Sequence, residues 1–151
     1  MTRINTIDPK DLTDQHLMAE YRELPMVAAA LRRSVTSKRG LPPIPKRYTL
    51  NTGHVTFFYD KSDFLKERYR ALVDELRIRG FRLDPDRVVD FTPFDSTPQT
   101  YWSPTNDDKR VSTQRIVERV GQKPTFYKYM GQPIDVDQYV YTLTQTYGAN
   151  Q

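Results

Sequence analysis

The 151-residue chain contains no cysteine and only two histidines, His16 and His54. That excludes a disulfide framework or thiol redox motif, and it leaves a metal ion without an ordinary set of protein ligands, so no metal or cofactor is expected. No apolar run approaches membrane-spanning length, and the start shows no basic region leading into an apolar stretch. Neither a membrane anchor nor a secretory signal is therefore expected, and a cytoplasmic setting fits. Hydrophobic residues are scarce, at 37% of the chain against 28% charged. A chain of this length and composition supports one modest core beneath a heavily solvated surface.

The net charge is +4 and the sequence pI is near 9.3. After Met130 the chain carries Asp135 and Asp137 but no Lys or Arg, so the body ahead of it is more basic than the whole. A polyanion is the natural partner of such a body.

Helical periodicity is clearest where Leu17, Tyr21, Leu24, Ala28, Leu31 and Val35 recur at spacings of three and four behind a possible cap at Asp14. Pro25 falls inside this helix and removes one backbone hydrogen bond. Thr36–Tyr59, with Gly40, Pro42, Pro43, Pro45 and Gly53, reads as a long irregular connection. A second helix, capped by Asp60 or Ser62, places Leu65, Tyr69, Leu72 and Leu76 on one face and stops at Gly80. Four prolines between Phe81 and Thr105 indicate another irregular stretch. A third helix spans about 106–120 and buries Thr113, Ile116, Val117 and Val120. The expected fold is all-α, with three main helices and long loops. Residues 1–134 form the domain, and 135–151 are a tail, flexible or loosely docked.

Two features carry chemistry. Removal of Met1 exposes the α-amine of Thr2, whose ordinary pKa of roughly 7.7–8 lies well below the roughly 10.4 of a lysine, so part of it is an unprotonated nucleophile at neutral pH. The second is the polar face of the first helix. At 100° per residue, Gln15, Ala19, Arg22, Met26 and Arg33 share it, and Glu23 stands on its shoulder as the one carboxylate. A glutamate there can serve an amine as acid and base. The same face also reads as an ordinary solvated helix side on which Glu23 pairs with neighbouring cations.

Thr2-Arg3-Ile4-Asn5, the run from Asp14 to Pro25, His54-Val55-Thr56-Phe57-Phe58-Tyr59-Asp60-Lys61 and Gln122-Lys123-Pro124-Thr125-Phe126-Tyr127-Lys128-Tyr129-Met130-Gly131 together resemble the phage and viral pyrimidine-dimer DNA glycosylases of the dimer-specific endonuclease V type. The resemblance is strong over residues 1–36, 53–80 and 112–134, weak over 81–111 and absent beyond about 136. It implies a compact three-helix domain with the N-terminal segment threaded between the helices. It also implies excision of cyclobutane pyrimidine dimers followed by strand cleavage at the resulting abasic site, by a monomer acting on double-stranded DNA.

By the same resemblance, Thr2 forms an imine at C1′ and Glu23 is the acid/base residue. Arg3, Gln15, Arg22, Arg115 and Arg119 contact DNA, with Arg115 and Arg119 on one edge of the third helix. Family members also flip the adenine opposite the lesion into a protein cavity. Met26 departs from the pattern, because the family usually carries a DNA-contacting arginine there. Two other readings stay open: a non-catalytic relative that binds damaged or bent DNA, and a basic helical protein with a phosphate-binding face and no lesion preference.

Overall fold

The computed structural model describes residues 3–148. It is mostly helical: α1 (Asp14–Thr36), α2 (His54–Phe57), α3 (Ser62–Ile78), α4 (Asn106–Gln122) and α5 (Val136–Tyr147), with a hairpin of two short strands, β1 (Lys128–Tyr129) and β2 (Gln132–Pro133). The three main helices expected from periodicity are α1, α3 and α4. The fold is all-α, as expected.

Helix α1 buries Leu17, Tyr21, Leu24, Ala28 and Leu31 and continues through Pro25. Its cap is Thr13, whose hydroxyl accepts the His16 N–H at 3.1 Å. Asp14 was the expected cap; instead its carboxylate accepts N–H donors from Met130 and Gly131 at 3.0 and 2.8 Å and pairs with Arg79 at 3.0 Å. A carboxylate that holds the hairpin turn cannot also fold back onto its own helix. Neither Asp60 nor Ser62 caps α3. The cap position is Lys61, and the Ser62 N–H donates to the Gln99 side chain at 2.9 Å. Gly80 ends that helix at φ 88°, a conformation costly for any residue with a Cβ.

Helix α4 begins with a reciprocal Thr105–Asp108 capping box and buries Ser112, Thr113, Ile116 and Val120, while Val117 stays half-buried. The core lies between α1, α3 and α4, with Phe57 of α2 and Phe58 and Phe94 of the connections filling it.

The stretch after 135 differs from the expected flexible or loosely docked tail. Val136–Tyr147 is a helix capped by Asp135, packed against α4, with Leu143 2% exposed. Val136, Tyr139, Val140, Leu143 and Tyr147 do recur at helical spacing. Threonines, glutamines and the outward Tyr141 conceal that stripe in the sequence. The Tyr139 hydroxyl donates to the Asp11 carbonyl at 2.5 Å, and the Tyr147 hydroxyl donates to the Asp11 carboxylate.

Candidate nucleic-acid-facing active site

The N-terminal segment runs extended through the helices and is held largely by its own backbone. The Ile4 N–H donates to His54 Nε2 at 2.7 Å, and the Ile4 carbonyl accepts from the Tyr48 hydroxyl at 2.6 Å. The Thr6 N–H donates to Ser112 Oγ at 3.0 Å, and the Ile7 carbonyl accepts from Arg68. Asn5 adds its side chain, donating to Glu20 at 3.0 Å. Ile4 and Ile7 are fully buried. Groups from α1, α2, α3 and α4 thus fix residues 4–7 from every side.

Two of these anchors are buried charges. Glu20 and Arg68 meet side-on, with Arg68 Nε and Nη2 donating to the two carboxylate oxygens at 2.6 and 3.0 Å. Each sits on the shoulder of an apolar stripe, three residues after one leucine and four before the next: Leu17, Glu20, Leu24 and Leu65, Arg68, Leu72. Opposite charges at matching places on two packed helices are a readable sign of a buried pair, which sequence reasoning did not use. His54 was likewise given no role. Its Nδ1 lies 2.6 Å from the Thr49 carbonyl, which can only accept. The ring is therefore protonated at Nδ1, leaving Nε2 as the acceptor for Ile4. Burial pushes its pKa down to about 4; the Thr49 carbonyl opposes this, while Arg3 and Arg115 add to it.

Where this segment emerges, a cavity of about 330 Å³ opens, lined by Arg3, His16, Ala19, Glu23, Arg115, Arg119 and Tyr127 among others. Arg115 and Arg119 stand one turn apart on α4 and line this cavity together with Glu23 of α1. Burial pushes the Arg3 guanidinium below its usual range, reinforced by the positive charges of Arg115 and Arg119. Burial raises the Glu23 carboxyl. The backbone N–H and the guanidinium of Arg3 pull it back down, and Glu20 adds to the rise. His16 stacks on Tyr127 with ring centroids 4.8 Å apart, and burial followed by Arg3 and Arg119 lowers its pKa to about 4. The wall beside the cations is therefore neutral at physiological pH.

Of the residues singled out in the sequence, Arg3, Glu23, Arg115 and Arg119 converge on this cavity. Gln15 and Arg22 line the neighbouring groove of about 450 Å³, which shares Ala19 with it. The Gln15 amide is already engaged, donating to the Phe126 carbonyl at 3.1 Å and accepting the Lys128 N–H at 2.9 Å. Arg22 is exposed, and Met26 is 52% exposed one turn further along. Thr2 lies outside the described residues. Among the described residues no cluster of three or more metal-ligating side chains occurs, and no helix is long and apolar enough to cross a membrane.

Arg3, Arg115 and Arg119 line one cavity with the half-buried Glu23 at the end of a clamped chain segment, and such a helical protein offers concentrated positive charge to a polyanion. Residues 1–88 match the pyrimidine dimer DNA glycosylase family, more than half of the chain, and the protein belongs to that family. It is a DNA-repair glycosylase of the pyrimidine-dimer class, and DNA is its partner. The match contains the N-terminal segment and α1 to α3. Arg115 and Arg119, on α4, lie beyond it.

Proposed function

We propose that the protein excises cyclobutane pyrimidine dimers from double-stranded DNA as a combined N-glycosylase and abasic-site lyase. The amine nitrogen of Thr2 attacks C1′ of the damaged nucleotide as the glycosidic bond breaks and the base leaves with its electron pair. Glu23 takes a proton from the attacking nitrogen and donates it to the sugar ring oxygen as the C1′–O4′ bond opens, giving a protonated imine. The imine acidifies C2′; transfer of that proton to the Glu23 carboxylate drives β-elimination, in which the C3′–O bond breaks and the 3′ phosphate departs with the bonding electron pair. One nucleophile serves both steps, and no metal is called upon.

The observation that carries this reading is the contact between Glu23 and the backbone N–H of Arg3, the peptide that joins Arg3 to Thr2. A carboxylate held there is one peptide along the chain from Thr2. Its raised pKa suits a group that must give up a proton as well as take one. Arg3, Arg115 and Arg119 supply positive charge for the phosphates, and like-charge repulsion from them lowers the pKa of a nearby amine. Arg22 and Gln15 extend the same face along α1.

Borohydride reduction in the presence of dimer-containing duplex traps a covalent adduct through the N-terminal amine. A form with its terminus blocked, or with Met1 retained, traps none. If the unaltered protein gives no adduct, or a blocked one still does, the imine assignment is wrong. Glu23→Gln retains dimer binding and loses base release; turnover near that of the unaltered protein overturns the role of Glu23.

A further inference from the structure

Asp14 and Gln15, which open α1, hold residues 126–131 by their backbone. The Gln15 amide donates from Nε2 to the Phe126 carbonyl at 3.1 Å and accepts the Lys128 N–H at Oε1, at 2.9 Å. A carbonyl only accepts and a peptide N–H only donates, so these partners fix which end of the amide points where. Asp14 accepts the N–H groups of Met130 and Gly131 at 3.0 and 2.8 Å. It thereby holds Met130 at φ 49°, a left-handed conformation that a Cβ disfavours.

The hairpin needs such anchors. Its strands are two residues each, and Pro133, opposite Lys128, has no N–H to give to the ladder. The Gln15 amide takes the place of a further strand, because the Phe126 carbonyl and the Lys128 N–H flank a single residue as the groups bonded by a neighbouring strand do. That residue is Tyr127. Its own carbonyl accepts the Ile134 N–H at 3.2 Å. Its ring is 9% exposed, lies parallel to His16 at 4.8 Å and edge-on to Phe126 at 5.0 Å, and lines the cavity with Glu23 and Arg119. A shift of the backbone on either side of Tyr127 therefore moves one wall of the cavity.

Gln15 shares the polar face of α1 with Arg22, a place that reads as a contact to phosphate. We propose that Gln15 is instead a positioning residue, which acts on base release through the Tyr127 wall and not by touching DNA. This rests on the repair reading above for what the cavity does, and not for the amide clip itself.

Gln15→Leu removes both bonds at nearly constant volume. In the free protein the ring resonances of His16 shift, because Tyr127 moves against them. With dimer-containing duplex and protein in excess, base release at saturation slows by roughly tenfold, while the protein concentration at half-saturation stays within about twofold. Gln15→Glu keeps an acceptor for Lys128, sets a carboxylate against the Phe126 carbonyl and gives the same pattern; it serves as the test if the leucine variant does not fold. Unmoved His16 resonances or an unmoved saturating rate overturn the proposal. So does a half-saturating concentration raised about tenfold at unchanged rate, the pattern of a lost DNA contact. If the unaltered chain releases no base, the repair reading fails, and the His16 resonances still decide whether Gln15 sets the wall.

Discussion

Residues 4–7 and the helix at 136–147 are pinned to the same helical body, but by opposite means. The N-terminal segment is held through backbone atoms of Ile4, Thr6 and Ile7 by buried groups, among them one bidentate ion pair and one neutral imidazole. The C-terminal helix is held through its own side chains, two tyrosine hydroxyls on Asp11 and one buried leucine, near the surface. Backbone clamping fixes a segment to within the length of a hydrogen bond and leaves the side chains beyond it free for chemistry. Side-chain docking fixes only which face is covered. A segment that must deliver its own end to a reaction needs the first kind.

Breaking the N-terminal clamp should cost the most. Arg68→Met leaves the Glu20 carboxylate buried without a cation, with only the Asn5 amide donating to it, a loss of about 3–5 kcal/mol. For a chain of this size that lowers the melting temperature by roughly 10 °C. A shift of only a degree or two would show that the pair anchors nothing.

The next effect is the neutrality of His54. Its folded pKa, about 4, lies below the ordinary 6.5, so between those values the unfolded chain binds more protons than the folded one. Stability is therefore full above about pH 6.5, falls as pH drops towards 4 and levels off below, with about 3 kcal/mol attributable to this ring. His16 shifts in the same direction. Nuclear magnetic resonance titration of the His54 ring checks it directly; a midpoint near 6.5 removes the neutral clamp from the account.

At the other end the effects are smaller. Tyr147→Phe removes the hydroxyl that donates to Asp11 and accepts the Asp8 N–H, a loss of about 1 kcal/mol in urea unfolding. A loss as large as that of Arg68→Met would erase the contrast between the two ends. Smallest is Met26→Arg, which adds one cation to the polar face of α1 and should raise the salt slope of DNA binding by about 0.9. If the slope stays unchanged, position 26 does not reach a phosphate.

The three main helices were legible because each repeats apolar residues every three to four positions, and the all-α class followed from them. Arg115 and Arg119 could be placed on one helix edge by spacing alone, and only the resemblance assigned them to DNA. Helix α5 was missed because its stripe uses tyrosine and valine amid threonine and glutamine. The caps at Asp14, Asp60 and Ser62 were misassigned because a carboxylate or hydroxyl near a helix start has several possible partners, and the hairpin turn and Gln99 are distant in sequence.

Periodicity, charge and the N-terminal motif are local properties, so the sequence by itself determined the helices, the basic character and the candidate nucleophile and acid. Only the tertiary structure decided that Glu23 shares a cavity with Arg3, Arg115 and Arg119, that Gln15 is spent on the backbone of the C-terminal segment, and that His54 is a neutral hook for Ile4. Each of these depends on atoms far apart in the chain, where desolvation and geometry, rather than residue type, set what a group can do.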